Sequence, residues 1–279
     1  MIDLDLIRRW QREAVAVLRI LVADAAGSTP REAGAFMLVS HNAQTGTIGG
    51  GTLEWECLAQ ARRILSGAAL AQEYRYRLGP EADQCCGGAV TIRYEPVFDL
   101  DHELSCLEAE QASWPVVSVF GAGHVGRALA QALSPLPLAL RWIDSRADEF
   151  GLVPEGVTMS VTQDWEAELA LLRPGDGVVI MTPSHTLDAL ITAAALDRGD
   201  LAYVGLIGSR TKRRRFEAGF RALGMAQHRI DALVCPIGHH DGPYRIRDKR
   251  PSVIAALVAA ELIVKLVHGG QASNGCGST

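Results

Sequence analysis

The chain has 279 residues, room for one large domain or two ordinary ones. Its 27 basic and 32 acidic side chains leave a formal charge of −5, which argues against bulk electrostatic binding of nucleic acid. With 48% apolar and 21% charged residues, the chain can bury a real core, and the composition argues against intrinsic disorder.

The first residues, Met1-Ile-Asp-Leu-Asp-Leu-Ile-Arg-Arg, are charged and mixed, without the apolar segment of an export signal, so a cytoplasmic protein is expected. Ala14 to Ala23 is an apolar run that reads as a strand. Ala35 to Ser40 reads as another, and His41 to Gly46 as the turn of a hairpin that returns through Thr47-Ile48. From Thr52 to Leu65, apolar residues recur at spacings of three and four, which predicts a helix ended by Gly67. Glu73 to Leu78 and Ala89 to Glu95 alternate and read as strands with one buried face. Residues 1–98 therefore form a smaller N-terminal α+β domain, and the polar stretch 99–114 a helix and linker.

From Pro115 the texture changes to strand, glycine turn, helix, strand. Strands are predicted at 116–120, 138–143, 177–181 and 202–207, with helices at 126–133 and 187–196. Near-continuous apolar strands alternating with helices imply an α/β fold. Residues 115–268 read as a Rossmann-like C-terminal domain with a parallel sheet covered on both faces. The longest apolar stretch, Ser252 to Val267, carries Glu261 and Lys265 and is too short and too polar to span a bilayer. Residues 269–279 read as a flexible tail.

Several segments carry chemistry. Gly121-Ala-Gly123-His-Val-Gly126 follows a strand and opens a helix, the context a dinucleotide-type turn requires. Its glycines allow the turn, the approach of a phosphate, and close packing of helix on strand. Asp144 ends the next strand, where an acid would meet a ribose hydroxyl. Gln84-Cys85-Cys86-Gly87-Gly88 offers adjacent thiols, either for a soft metal or sulfur-bearing ligand or as small buried side chains beside a turn. Gly49-Gly50-Gly51 leads into a helix and offers backbone donors, to which Arg31 can add a guanidinium. His185 follows the strand at 177–181, at the carboxyl edge of the sheet where open α/β folds bind ligands. Arg210 opens a basic helix start that would favour a nearby anion. No C-x-x-C pair supports a structural zinc, and His239-His240-Asp241 lacks a second ligand cluster.

Taken together and in order, Gly27-Ser-Thr-Pro-Arg31, Ile48-Gly-Gly-Gly51, Gln84-Cys-Cys-Gly-Gly88, Gly121 to Gly126, Ile143-Asp-Ser-Arg146, Tyr203 to Lys212 and Cys235-Pro-Ile-Gly238 resemble the XdhC/CoxI family, accessory proteins of molybdenum hydroxylases. The resemblance covers residues from about 14 to 262. It implies a chaperone that binds the molybdenum cofactor, a phosphorylated pterin carrying molybdenum. Such a chaperone supports cofactor sulfuration with a cysteine desulfurase as donor, delivers the product to apo xanthine dehydrogenase, and self-associates, usually as a homodimer. Read from side-chain chemistry, the candidate contacts for such a cofactor are Gln84, Cys85, Cys86, Gly121, Gly123, Gly126, Asp144, Arg31, Gly50, His185 and Arg210, with Cys85 or Cys86 as the metal contact. The alternative is an NAD(P)-dependent oxidoreductase using the glycine turn and Asp144, for which no catalytic pair can be assigned. The chain departs from the family at Pro183, where His is frequent, and over 239–250, a longer and basic loop.

Overall fold

The computed structural model describes residues 2–79, 87–238 and 248–268. It divides into two compact units, Met1–Glu110 and Gln111–Thr279. Among the described residues no helix is long and apolar enough to cross a membrane.

The first unit is built on a five-stranded antiparallel sheet. Its strands are β1 (Val17–Ala26), β2 (Phe36–Val39), β3 (Gln44–Gly46), β4 (Glu73–Arg77) and β5 (Ala89–Val97), in the order β3-β2-β1-β5-β4. Side chains alternate between faces along each strand. Leu18, Ile20, Val22, Met37 and Val39 pack on one face with Leu53, Cys57 and Ala61 of helix α2 (Gly51–Leu65). Val17 and Leu38 point the other way and pack with Ile7 and Trp10 of α1 (Leu4–Arg12) and Leu107 of α3 (Leu100–Ser113). Arg19, on that second face, lies over the Phe36 ring and pairs with the buried Glu103. The hairpin turn is shorter than the sequence suggests. Ser40 and Ala43 close it through Ser40 N–H to the Ala43 carbonyl at 2.9 Å, and Gln44-Thr45-Gly46, read as loop, is strand. Thr45 points inward and is buried, so this polar-looking segment still has a core face.

The second unit contains six parallel strands: β6 (Val116–Phe120), β7 (Ala139–Asp144), β8 (Thr158–Val161), β9 (Gly177–Ile180), β10 (Tyr203–Leu206) and β11 (Leu233–Val234). Their order is β11-β10-β9-β6-β7-β8. The chain winds outward from β6 through β7 to β8, then returns to start a second series at β9. This is the doubly wound Rossmann arrangement, with its switch point between β6 and β9. Helices α4 (His124–Leu133) and α9 (Pro251–Leu262) cover one face, with Leu129, Leu133, Val258 and Leu262 in its core. The other face is covered by α5 (Trp165–Ala170), α6 (His185–Arg198), α7 (Arg210–Ala222) and α8 (Gln227–Asp231). The apolar 252–267 stretch is thus a core helix, and Glu261 within it is answered by Tyr203 Oη at 3.2 Å and Gly238 N–H at 2.8 Å.

The turn after β6 is held by close packing. A Cβ on Gly126 would stand 2.1 Å from the Gly121 carbonyl oxygen, so only glycine lets α4 approach this closely. Gly121 itself has φ +122°, and that same carbonyl accepts from Trp142 Nε1 at 3.1 Å. Gly123, by contrast, has nothing within 4 Å of its Cβ position among the described residues. Gly126→Ala is therefore expected to cost about 2 kcal/mol in urea denaturation. Gly123→Ala should stay within about 0.5 kcal/mol of the parent chain.

Candidate functional site

The carboxyl ends of β6, β7, β8 and β9 enclose a cavity of 340 Å³ at the switch point. Gly121 and Asp144 line it together with Arg146, Thr162, Trp165 and Thr182. Most of its surface is apolar, contributed by residues such as Ile143 and Leu187, and a few polar groups border it. That is the usual constitution of a small-molecule site.

Asp144 is the last residue of β7 and still pairs with Val161 of β8. Its carboxylate accepts from the N–H of Ala122 at 2.7 Å and of Arg146 at 3.0 Å, and from Arg146 Nε and Nη2 at 3.0 and 2.9 Å. Burial pushes this carboxyl up. The Arg146 guanidinium and the two backbone donors outweigh burial and hold it below the usual carboxylate range. Both oxygens are therefore engaged within the chain, and a ribose diol would have to displace Arg146 to reach them.

The loop after β9 is fixed by a residue the sequence reading passed over. Asp188, on α6 and fully buried, accepts from Thr182 N–H at 3.0 Å and Thr182 Oγ1 at 2.8 Å. Its second oxygen takes Lys212 Nζ at 2.6 Å. Lys212 also donates to the Ile207 carbonyl at 3.0 Å. Ser184 and Ser209 cap α6 and α7. A second cavity of 490 Å³ lies between these loops, lined by Thr182, His185, Gly208, Thr211, Lys212 and Arg215 among others. His185 thus borders this cavity and not the one at Gly121. It is exposed and makes no hydrogen bond with a described residue. Arg210 is exposed on the first turn of α7.

In the first unit, Gly49, Gly50 and Gly51 all have positive φ. Their donors already hold an anion, because Glu54 on α2 reaches back to accept from Ile48 N–H at 3.1 Å and Gly50 N–H at 3.0 Å. A ligand phosphate at Gly50 would compete with that carboxylate. Arg31 is exposed, and its Cγ lies 3.4 Å from where a Gly49 Cβ would stand. Gln84, Cys85 and Cys86, including the two thiols read as metal contacts, lie outside the described residues, as does His239-His240-Asp241. Among the described residues no group of three or more His, Cys, Asp or Glu is placed to hold a metal.

Comparison with known proteins agrees with this architecture. Residues 117–262, more than half of the chain, match the model of the XdhC Rossmann domain. Residues 10–76 match the model of the XdhC and CoxI family.

The chain belongs to the XdhC and CoxI family.

A similar sequence is the uncharacterized protein YqeB of Escherichia coli strain K12, 29% identical over 255 residues. The match covers 87% of this chain and 42% of YqeB, so the chain spans less than half of that relative. A crystal structure from Bacillus halodurans, described as a xanthine dehydrogenase, superposes with a TM-score of 0.77 at 21% identity. It covers 99% of this chain and 98% of that one, and this likeness is one of fold.

Asp144 gives a prediction with a definite sign. Its native carboxyl lies below its unfolded value, so the unfolded chain takes up the proton first as pH falls. The stabilisation is complete above the unfolded carboxylate value near about 4 and disappears as pH drops through the native one. Asp144→Asn should cost about 2 kcal/mol at pH 7. In urea titrations across pH, the gap between the two proteins should hold through neutrality and narrow only in acid.

Proposed function

We propose that this chain is an accessory protein in the maturation of a molybdenum hydroxylase, with xanthine dehydrogenase as client and the molybdenum cofactor as cargo. The observation that carries this reading is the ordered match of both parts of the chain to XdhC and CoxI family models. The carboxyl-edge crevice supports it. A flat heterocycle suits the apolar 340 Å³ cavity, and the open Gly123 position at the start of α4 suits a phosphate. Cys85 and Cys86 are proposed as the soft contacts to molybdenum while sulfur replaces one of its oxygens, with a cysteine desulfurase as donor. Arg31, Gly50, His185 and Arg210 are proposed as further polar contacts, and the working form as a homodimer.

The competing reading is a dehydrogenase that binds NAD(P) in the same crevice, and the doubly wound strand order favours it. Two observations weigh against it. The carboxylate that would take the ribose is engaged with Arg146, and the only imidazole near the crevice among the described lining residues, His185, borders the other cavity.

The test is to purify the chain from cells that make the cofactor and to assay molybdenum and pterin. Both should co-purify. Cys85→Ala and Cys86→Ala should each lower molybdenum retention. Gly123→Val should weaken cofactor binding by about tenfold, corresponding to roughly 1.4 kcal/mol, with an unchanged thermal midpoint. A protein that carries no pterin but binds NADH and turns it over would replace the chaperone reading with the dehydrogenase one.

A further inference from the structure

The 490 Å³ cavity at the carboxyl ends of β9 and β10 is separate from the one lined by Gly121, and of the cargo contacts proposed above only His185 borders it among the described lining residues. Its charged lining is one-sided. Lys212 and Arg215 border it, His185 stands at its rim, and no carboxylate is among its described lining residues. Asp188 sits behind Lys212, with its side chain 1% exposed. Arg215 is exposed and has no ion-pair or hydrogen-bond partner among the described residues.

Lys212 is built into this cavity rather than draped over it. Its side chain is 14% exposed. Its ammonium bonds Asp188 and the Ile207 carbonyl and lies 5.5 Å from the Phe216 ring centre. A Cβ on Gly208 would stand 2.8 Å from Lys212 Cδ, so the glycine makes room for the lysine stem. An ammonium has three donors, and two of them have protein acceptors. Thr182 Oγ1 and the exposed Thr211 add hydroxyls to the same cavity. Thr182 is also a wall of the 340 Å³ cavity, so the two spaces are neighbours separated by the residue Asp188 clamps.

We propose that this second cavity is a phosphate subsite, with Arg215 and Lys212 as its cationic contacts and Thr211 as a hydroxyl donor. The crevice then accepts a phosphorylated ligand whose ring lies on one side of Thr182 and whose phosphate lies on the other. This subsite is distinct from the glycine turn, where Gly123 offers the other anion position. The inference does not depend on the cargo reading, because its test uses no pterin or molybdenum.

The probe is inorganic phosphate, titrated calorimetrically against the full chain and variants. Arg215→Ala should weaken phosphate binding about tenfold, the loss of one charge-assisted bond. Arg214→Ala, which removes an equal charge from an exposed neighbour outside the cavity lining, should change it by less than about twofold. Gly123→Val should leave it unchanged. Three results would each overturn the proposal: no phosphate binding by the parent chain, equal losses in the Arg214 and Arg215 variants, or loss in Gly123→Val with Arg215→Ala unaffected. A circular dichroism melt of each variant separates lost binding from lost fold.

Discussion

The contact between Gly126 and the carbonyl of Gly121 sets the carboxyl edge of the parallel sheet. Helix α4 can lie against the turn after β6 only because Gly126 carries no side chain, while a side chain on Gly121 would meet the Met181 carbonyl after β9. The turn is then pinned from its other side. Gly121 N–H donates to the Ile143 carbonyl at 2.8 Å, Ala122 N–H to Asp144, and Trp142 Nε1 to the Gly121 carbonyl. β7 thus anchors the turn with backbone, indole and carboxylate at once. Gly123 alone is left facing open space. A glycine-rich turn has three positions with three duties, and here two are packing and one is access.

A second constraint works across the sheet. Burying an ion pair costs desolvation that its own attraction offsets only when the remaining donors and acceptors are filled. Asp188 and Lys212 meet that condition through Thr182 and the Ile207 carbonyl. The pair is better understood as a geometric device than as a source of stability. It ties the loop after β9 to the loop after β10, so that the wall between the two cavities is held in one position. Losing either partner would leave a charge stranded in a mostly apolar setting, and the Thr182 wall would lose its support.

The strands of the second unit were legible because they are buried on both faces. Gly177–Ile180 and Tyr203–Leu206 read as strands from their apolar character alone, and all their residues are buried. Short or half-exposed elements were not legible. β8 presents Met159 and Val161 to solvent at the sheet edge, and β11 spans only two residues. Gln44-Thr45-Gly46 has turn composition, and only its pairing with β2 makes it a strand. The glycine turn and Asp144 were legible as a pattern, but the use made of Asp144 was not, because Arg146 reaches it only once β7 has ended in a bend. Asp188 and Lys212 lay within segments read for other residues. An aspartate on the first turn of a helix looks like a dipole partner until the lysine from the next crossover arrives.

The balance of donors and acceptors along this edge finally bears on what the chain can hold. A ribose or other neutral polyol needs acceptors, and the one carboxylate among the described residues lining the 340 Å³ cavity has both oxygens bonded within the chain. The charged and backbone groups that remain on offer are donors. Arg146 keeps 42% of its side chain exposed, the Gly123 position opens onto the start of α4, and Arg215 borders the next cavity. Donors in excess of acceptors select for anions over alcohols. A crevice of this kind discriminates by the charge its ligand carries more than by a sugar hydroxyl, which is a criterion a phosphorylated pterin meets without a ribose.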